Sequence, residues 1–290
     1  MEFKYFSRNG DILPIEQAIV PLANIEYTYG FGVYESIRVA NNVAYFVEDH
    51  IERLMESARI IGLEHPFSRE MVSKSIAELL EKNEVETCNV KILLIGPSTS
   101  LRAGGQATLN ILCLNPLFPD KKLYRDGVAV ITYEYERAFP HAKTLNMLQS
   151  YLAYRKAKEA GAYDALLIDR EGRITEGTRT NFFCISAGGG SSSGGKGKTL
   201  FSPDEKSILL GVTRKMALKV AAENGFEIVQ KDIRLSNLSE YDGAFITSTS
   251  SKILPIRSVD DFHFGEQPPA LKELMAAFDR FLDECKGAMK

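Results

Sequence analysis

At 290 residues, 44% of them apolar and 25% charged, with a net charge of −3, the chain has the composition of a globular protein with length for two modest domains. That balance gives no reason to expect nucleic acid as a partner. No apolar run approaches the ~20 residues that a membrane helix needs, and the first residues, Met1 to Pro14, lack the apolar centre of a signal peptide. Cys88, Cys113, Cys184 and Cys285 are scattered without a CxxC or matched histidines, so neither zinc nor a disulfide framework is expected, and the cytoplasm is the expected location.

Residues 3–45 read as β-rich, with a turn at Asn9-Gly10 between short strands. The pattern over 29–40 predicts a strand with Val33, Glu35, Ile37 and Val39 on one face and Tyr34, Ser36 and Arg38 on the other. Asn41-Asn42 supplies a second turn. Residues 48–61 read as a helix with Ile51, Leu54, Ala58 and Ile61 as its apolar stripe, and His50, Arg53 and Ser57 on an adjoining face. Taken alone, Arg53 is an ordinary solvated helix charge. Gly62 ends this helix, and Ser68 caps another that runs to about Lys82 with Val72, Ile76 and Leu79 inward. Residues 90–95 and 107–114 read as strands around a loop that contains Arg102. The two prolines of 115–120 mark the start of a linker, giving expected domains of 1–114 and 127–290 joined by 115–126.

Residues 128–133 open the second domain as a strand. Beyond Lys143 the residues Leu145, Leu148, Tyr151, Leu152, Ala157 and Ala160 recur at helical spacing as far as Gly161, which predicts a helix with the lysine at its head. Residues 165–168 form a short apolar strand, 169–172 a turn, and 174–177 with 181–185 the returning strand, which carries Glu176. The run GGGSSSGG at 188–195 reads as a lengthened, mobile hairpin tip. A helix is expected from Ser207 to Asn224, a strand and hydroxyl-rich loop over 244–256, and an amphipathic core helix over 270–285.

A lysine before an apolar helix is ordinarily a surface charge, and an acid before a glycine at a strand end is ordinarily a turn residue. Their surroundings change the reading. The blocks Lys-Thr-Leu-Asn-Met-Leu (143–148), Tyr-Asp-Ala-Leu-Leu-Ile-Asp (163–169) and Ile-Thr-Glu-Gly-Thr-Arg-Thr-Asn-Phe-Phe (174–183) resemble, in order and spacing, the fold-type-IV pyridoxal-phosphate enzymes. That family includes D-amino-acid aminotransferases, branched-chain aminotransferases, (R)-selective amine transaminases and aminodeoxychorismate lyases. The resemblance implies a mixed α/β (α+β) fold: a small N-terminal domain, a larger β-rich cofactor-binding domain, the cofactor between them, and a homodimer.

The same resemblance implies the site. Lys143 is the residue that bonds pyridoxal 5′-phosphate covalently and shuttles the proton, and Glu176 is the carboxylate held against the ring nitrogen. Leu209 packs on the ring. Val212 and Thr213 at a helix start, Ser248 and Thr249 in the hydroxyl-rich loop, and Arg53 hold the phosphate. The 143–148 block, the Val-Tyr-Glu strand and Ser-Leu-Arg-Ala are most similar to D-amino-acid aminotransferases, in which Tyr34 and Arg102 would bind the substrate carboxylate. Gly104, however, stands where that group has a histidine, and Phe31 where the family commonly has aspartate. Lys91 occupies a strand position where branched-chain enzymes carry an arginine, and an arginine with a nearby lysine would suit a dicarboxylate. The expected reaction is ping-pong transfer of an amino group, from a D-amino acid by preference, to a 2-oxo acid. Branched-chain L-amino acids, (R)-amines and pyruvate elimination are the alternatives.

Overall fold

The computed structural model describes residues 2–20, 25–96, 106–186 and 197–288. Arg102 and the glycine–serine run at 188–195 lie outside the described residues. The chain divides into a first unit of Met1–Leu117 with His141–Met147 and a second of Phe118–Pro140 with Leu148–Lys290. No helix among the described residues is long and apolar enough to cross a membrane.

The first unit comprises β1 (Tyr5–Arg8), β2 (Asp11–Pro14), α1 (Ile25–Tyr29), β3 (Gly32–Ala40), β4 (Val43–Ala44), α2 (Val47–Ile60), α3 (Arg69–Lys82), β5 (Cys88–Ile95) and β6 (Thr108–Leu114). Asn9 and Gly10 both take positive φ, 55° and 98°, as a tight two-residue hairpin turn requires. The strands form one antiparallel sheet in the order β2-β1-β6-β5-β3-β4. Residues 25–29 are helical rather than extended, so the expected strand start at Tyr29 moves to Gly32. Val33, Ile37 and Val39 join Ile51, Leu54 and Ala58 of α2 and Val72, Ile76 and Leu79 of α3 in one buried cluster. Ser68 caps α3 by accepting from the Met71 N–H at 3.2 Å.

The Lys143 segment differs most from its expectation. Residues 143–145 are extended, not helical. Thr144 pairs with Val33, the Tyr34 N–H donates to the Lys143 carbonyl at 2.9 Å, and the Leu145 N–H donates to the Gly32 carbonyl at 2.9 Å. The free edge of β3 consumes the backbone groups a helix would have used. Gly32 is tightly enclosed there, since a Cβ would sit 2.7 Å from Leu145 Cδ1.

The second unit comprises α4 (Lys121–Asp126), β7 (Val128–Glu134), α5 (Leu148–Glu159), β8 (Asp164–Ile168), β9 (Ile174–Gly177), β10 (Asn181–Ser186), β11 (Lys198–Ser202), α6 (Val212–Glu223), β12 (Phe226–Gln230), β13 (Gly243–Ser248), β14 (Lys252–Val259), β15 (Phe262–His263) and α7 (Pro269–Ala288). The sheet runs β12-β11-β10-β13-β14-β7-β8-β9, and Asn181 then pairs with Glu176, so β10 and β9 close a ring of strands. Phe182, Ile246, Leu254, Leu166 and Val130 belong to its main buried cluster.

Two helices differ from expectation. α5 starts at Leu148, and the apolar stripe read from its sequence is packed in part: Ala157 is buried, whereas Leu148 is 63% and Tyr151 59% exposed. The buried face is Ser150, Ala153 and Ala157, whose small side chains bring the helix close to Ala165 and Leu167 of β8. α6 starts at Val212 rather than Ser207, because Glu205–Ser207 forms its own single turn and Gly211 is the N-cap.

Candidate active site

In the first unit the site begins with a buried acid. Glu35 is fully buried on β3. Its carboxylate accepts from Arg53 Nε at 2.7 Å and Arg53 Nη2 at 2.8 Å, and bonds His50 Nδ1 at 2.7 Å. Burial alone would raise this carboxyl, but the Arg53 guanidinium and the bonds from Arg53 and His50 outweigh it and hold Glu35 well below the usual carboxylate range. Burial pushes His50 the other way, below the ordinary histidine value. Arg53 is therefore not the solvated charge its helix position suggests; its side chain is 12% exposed.

The same helix reaches Lys143. Ser57, buried one turn beyond Arg53, accepts the Lys143 N–H through Oγ at 3.1 Å. With the carbonyl held by Tyr34, the backbone of Lys143 is fixed at both polar groups. Lys143 and Tyr34 face each other across the strand edge, so their side chains leave the same face, and Lys143 Nζ lies 4.6 Å from the Tyr34 ring centroid. Lys91 on β5 comes to the same ring at 3.5 Å. It pairs with Ser36 while Tyr34 pairs with Leu93, which makes Lys91 and Tyr34 diagonal neighbours on that face. The Tyr34 hydroxyl is in contact with Met147 Sδ at 3.6 Å.

In the second unit Glu176 is 3% exposed, and its carboxylate accepts from Arg137 Nη1 at 3.1 Å and from the Leu209 N–H at 3.2 Å. Asn181 donates from Nδ2 to the Leu209 carbonyl at 2.7 Å, so Leu209 is held at both of its backbone polar groups. Two residues on, Gly211 opens α6. A Cβ there would lie 2.1 Å from Asn181 Oδ1, although its φ of −63° suits any residue. Gly211 offers no side-chain cap, and the first turn of α6, with Val212 and Thr213, carries no acid; both leave backbone N–H groups and the positive helix end available to an anion. Ser248 bonds Ser251 through the hydroxyls at 2.7 Å at the turn that also holds Thr249. Thr247, beside Asn181 in the ladder, has a buried hydroxyl with no partner among the described residues.

The structure thus brings Lys143, Tyr34 and Lys91 together in the first unit, and Glu176 and Leu209 in the second. Val212 with Thr213 and Ser248 with Thr249 occupy a helix start and a strand turn of that second unit. Sequence reasoning missed Glu35, Arg137 and Asn181, and gave His50 and Ser57 no role. A signal for Glu35 did exist: it is an acid on the apolar, helix-facing side of an alternating strand.

A family model described as Amino-transferase class IV matches residues 32–259. The D-alanine aminotransferase of Bacillus licheniformis is 29% identical over 266 residues, covering 90% of each chain. The branched-chain-amino-acid aminotransferase of Pseudomonas aeruginosa is 26% identical over 286 residues, covering 93% of this chain and 90% of that protein. The solved structure of the Escherichia coli branched-chain amino acid aminotransferase superposes with a TM-score of 0.86 at 26% identity, over 96% of this chain and 94% of that one. Similar solved structures include one with pyridoxamine 5′-phosphate and one in a pyridoxal-phosphate form. The chain belongs to the class IV aminotransferases, enzymes that use pyridoxal 5′-phosphate.

Proposed function

We propose that this chain transfers the amino group of a branched-chain L-amino acid to a 2-oxo acid by alternating half-reactions, with 2-oxoglutarate and glutamate as the dicarboxylate pair. The observation that carries the reading is Lys91 beside Tyr34 and Lys143 on one sheet face, a cation placed to meet a substrate carboxylate. A second reading, with a D-amino acid as donor, is favoured by Tyr34 facing Lys143; it would use Tyr34 and Arg102 for the α-carboxylate.

The residues present fit the cofactor. A buried carboxylate, Glu176, suits a protonated ring nitrogen. The acid-free start of α6, with Val212 and Thr213, and the hydroxyls of Ser248 and Thr249 suit a phosphate. Bound pyridoxal phosphate supplies an electron sink for the bond electrons at the substrate Cα. Lys143 would hold the group covalently, and its amine, once freed, would move the proton at the substrate Cα. Leu209 would pack on the ring, and its N–H donates to Glu176. Arg53 would be the phosphate arginine implied by the resemblance, and Glu35 accepts from two of its nitrogens. The resemblance implies a homodimer, which sedimentation would reveal as twice the mass of one chain.

The deciding experiment mixes cofactor-loaded protein with D-alanine, D-glutamate, L-leucine, L-glutamate and (R)-1-phenylethylamine in parallel and follows loss of the visible cofactor absorbance. Bleaching by L-leucine and L-glutamate, with Lys91→Met impaired for L-glutamate alone, supports the proposal. Bleaching by the D-acids alone replaces it with the second reading. Pyruvate release from a chorismate derivative without any amino acceptor would instead point to a lyase. Borohydride reduction followed by peptide mass mapping tests Lys143 directly, and a cofactor adduct on any other lysine sinks that assignment.

A further inference from the structure

Glu176 and Asn181 are separated by Gly177 and a three-residue connection, Thr178, Arg179 and Thr180, at the point where β9 meets β10. The hydroxyls of this connection converge on one group. Asp164, the first residue of β8, is 2% exposed and accepts from Thr178 Oγ1 at 2.5 Å, from Thr180 Oγ1 at 2.9 Å and from the Ala165 N–H at 2.9 Å. Backbone bonds draw the connection in further, from the Gly177 N–H to the Thr180 carbonyl at 2.7 Å and from the Thr178 N–H to the Ala165 carbonyl at 3.1 Å. Gly177 is enclosed by the result. A Cβ there would lie 2.1 Å from Thr180 Oγ1 and 2.8 Å from Asp164 Oδ2, so no other residue fits while the clamp is closed.

From the two ends of this connection Glu176 and Asn181 grip the N–H and the carbonyl of Leu209, and Asn181 also fills the space beside Gly211 at the start of α6. A shift in the connection therefore moves Glu176 and Leu209 together. Burying a carboxylate is costly, and burial raises the Asp164 carboxyl above its ordinary range despite the hydroxyl bonds.

We propose that Asp164 is a positioning residue for cofactor binding: by holding Thr178 and Thr180 it sets the place of Glu176 and, through Asn181 and Leu209, the entry to α6. It touches neither the substrate nor the cofactor and acts through the connection. The proposal rests on the reading of Glu176 as the partner of the ring nitrogen.

The test compares the affinity of apoprotein for pyridoxal 5′-phosphate with that for an analogue in which carbon replaces the ring nitrogen. Wild-type protein should favour the natural cofactor, because the analogue cannot use Glu176. In Asp164→Asn this preference should shrink by roughly tenfold, the scale of one charge-assisted hydrogen bond mis-set. A preference equal to that of the wild type overturns the proposal, as does an equal loss for both compounds, which is what a purely structural role would give. If Asp164→Asn fails to fold, the same ratio is read on Thr180→Val, with Thr180→Ser expected to restore it. A wild-type protein that shows no preference overturns the Glu176 reading and this proposal with it, whereas a preference that survives every one of these variants overturns the Asp164 role alone.

Discussion

Replacing Glu35 by glutamine tests the electrostatic centre of the first unit. The side chain keeps its shape but loses its charge, and one of its oxygens becomes an NH2 aimed at donors. Arg53, 12% exposed and bonded through Nε and Nη2, is left as a largely buried cation facing an amide, and His50 loses its acceptor. Removing one partner of a buried ion pair costs about 3–5 kcal/mol, and the residual exposure of Arg53 puts the expectation near the lower end, about 3 kcal/mol. Hydrogen exchange of the β3 and α2 amides at neutral pH reads this loss locally, without assuming that the two units unfold together. The difference should also depend on pH. Glu35 has a depressed folded pKa, so its contribution is complete above the ordinary glutamate value of 4.5 and disappears as pH falls from there through the folded value. The gap between wild type and Glu35→Gln should therefore narrow below pH 4.5. A pH-independent gap, or a loss under about 1 kcal/mol at pH 7, would refute this account of the cluster.

Other outcomes follow from the same geometry. His50 is buried with its pKa lowered from 6.5, so the unfolded chain binds the proton more readily; stability should fall as pH drops below 6.5, and His50→Gln should flatten that part of a urea-midpoint profile. Gly211→Ala puts no strain on the backbone but should displace Asn181, costing about 1–3 kcal/mol and weakening retention of the cofactor in dialysis. Ser68→Ala removes the cap of α3 and should cost about 1 kcal/mol in denaturant unfolding, with no change in cofactor affinity.

What the sequence disclosed was local or carried by motif order. The Asn9-Gly10 turn, the alternation of β3 and the cap at Ser68 depend on neighbours a few residues away, and the periodicity there has one reading. The Lys143 segment has two. Its apolar spacing suits a helix, but its backbone bonds go to Gly32, Tyr34 and Ser57, more than eighty residues distant in sequence. No local pattern encodes that edge of β3. The α5 face differs for a related reason: closeness to β8 selects serine and alanine, so Leu148 and Tyr151 lie outward while Ala157 packs as its spacing suggests. Arg53 was placed on the correct face of α2, but its partner, Glu35, lies on a strand before it, and only the fold joins them.

The two units hold their candidate site residues in a similar way. Lys143 and Glu176 are each fixed by bonds to their own backbone or neighbouring peptide, and behind each of those bonds stands a buried carboxylate at one remove. Glu35 ties α2 to β3 through Arg53 and His50, and Ser57 of the same helix takes the Lys143 N–H. Asp164 ties the Thr178–Thr180 connection to β8, and its ends carry Glu176 and Asn181. Removing either acid alone would strand the donors it holds, Arg53 and His50 for Glu35 and the Thr178 and Thr180 hydroxyls for Asp164, and an apolar contact would not fix the segments that carry them. Directional bonds do. A carboxylate that accepts from two or three fixed donors sets a position to within a fraction of an ångström, which a sliding apolar contact does not.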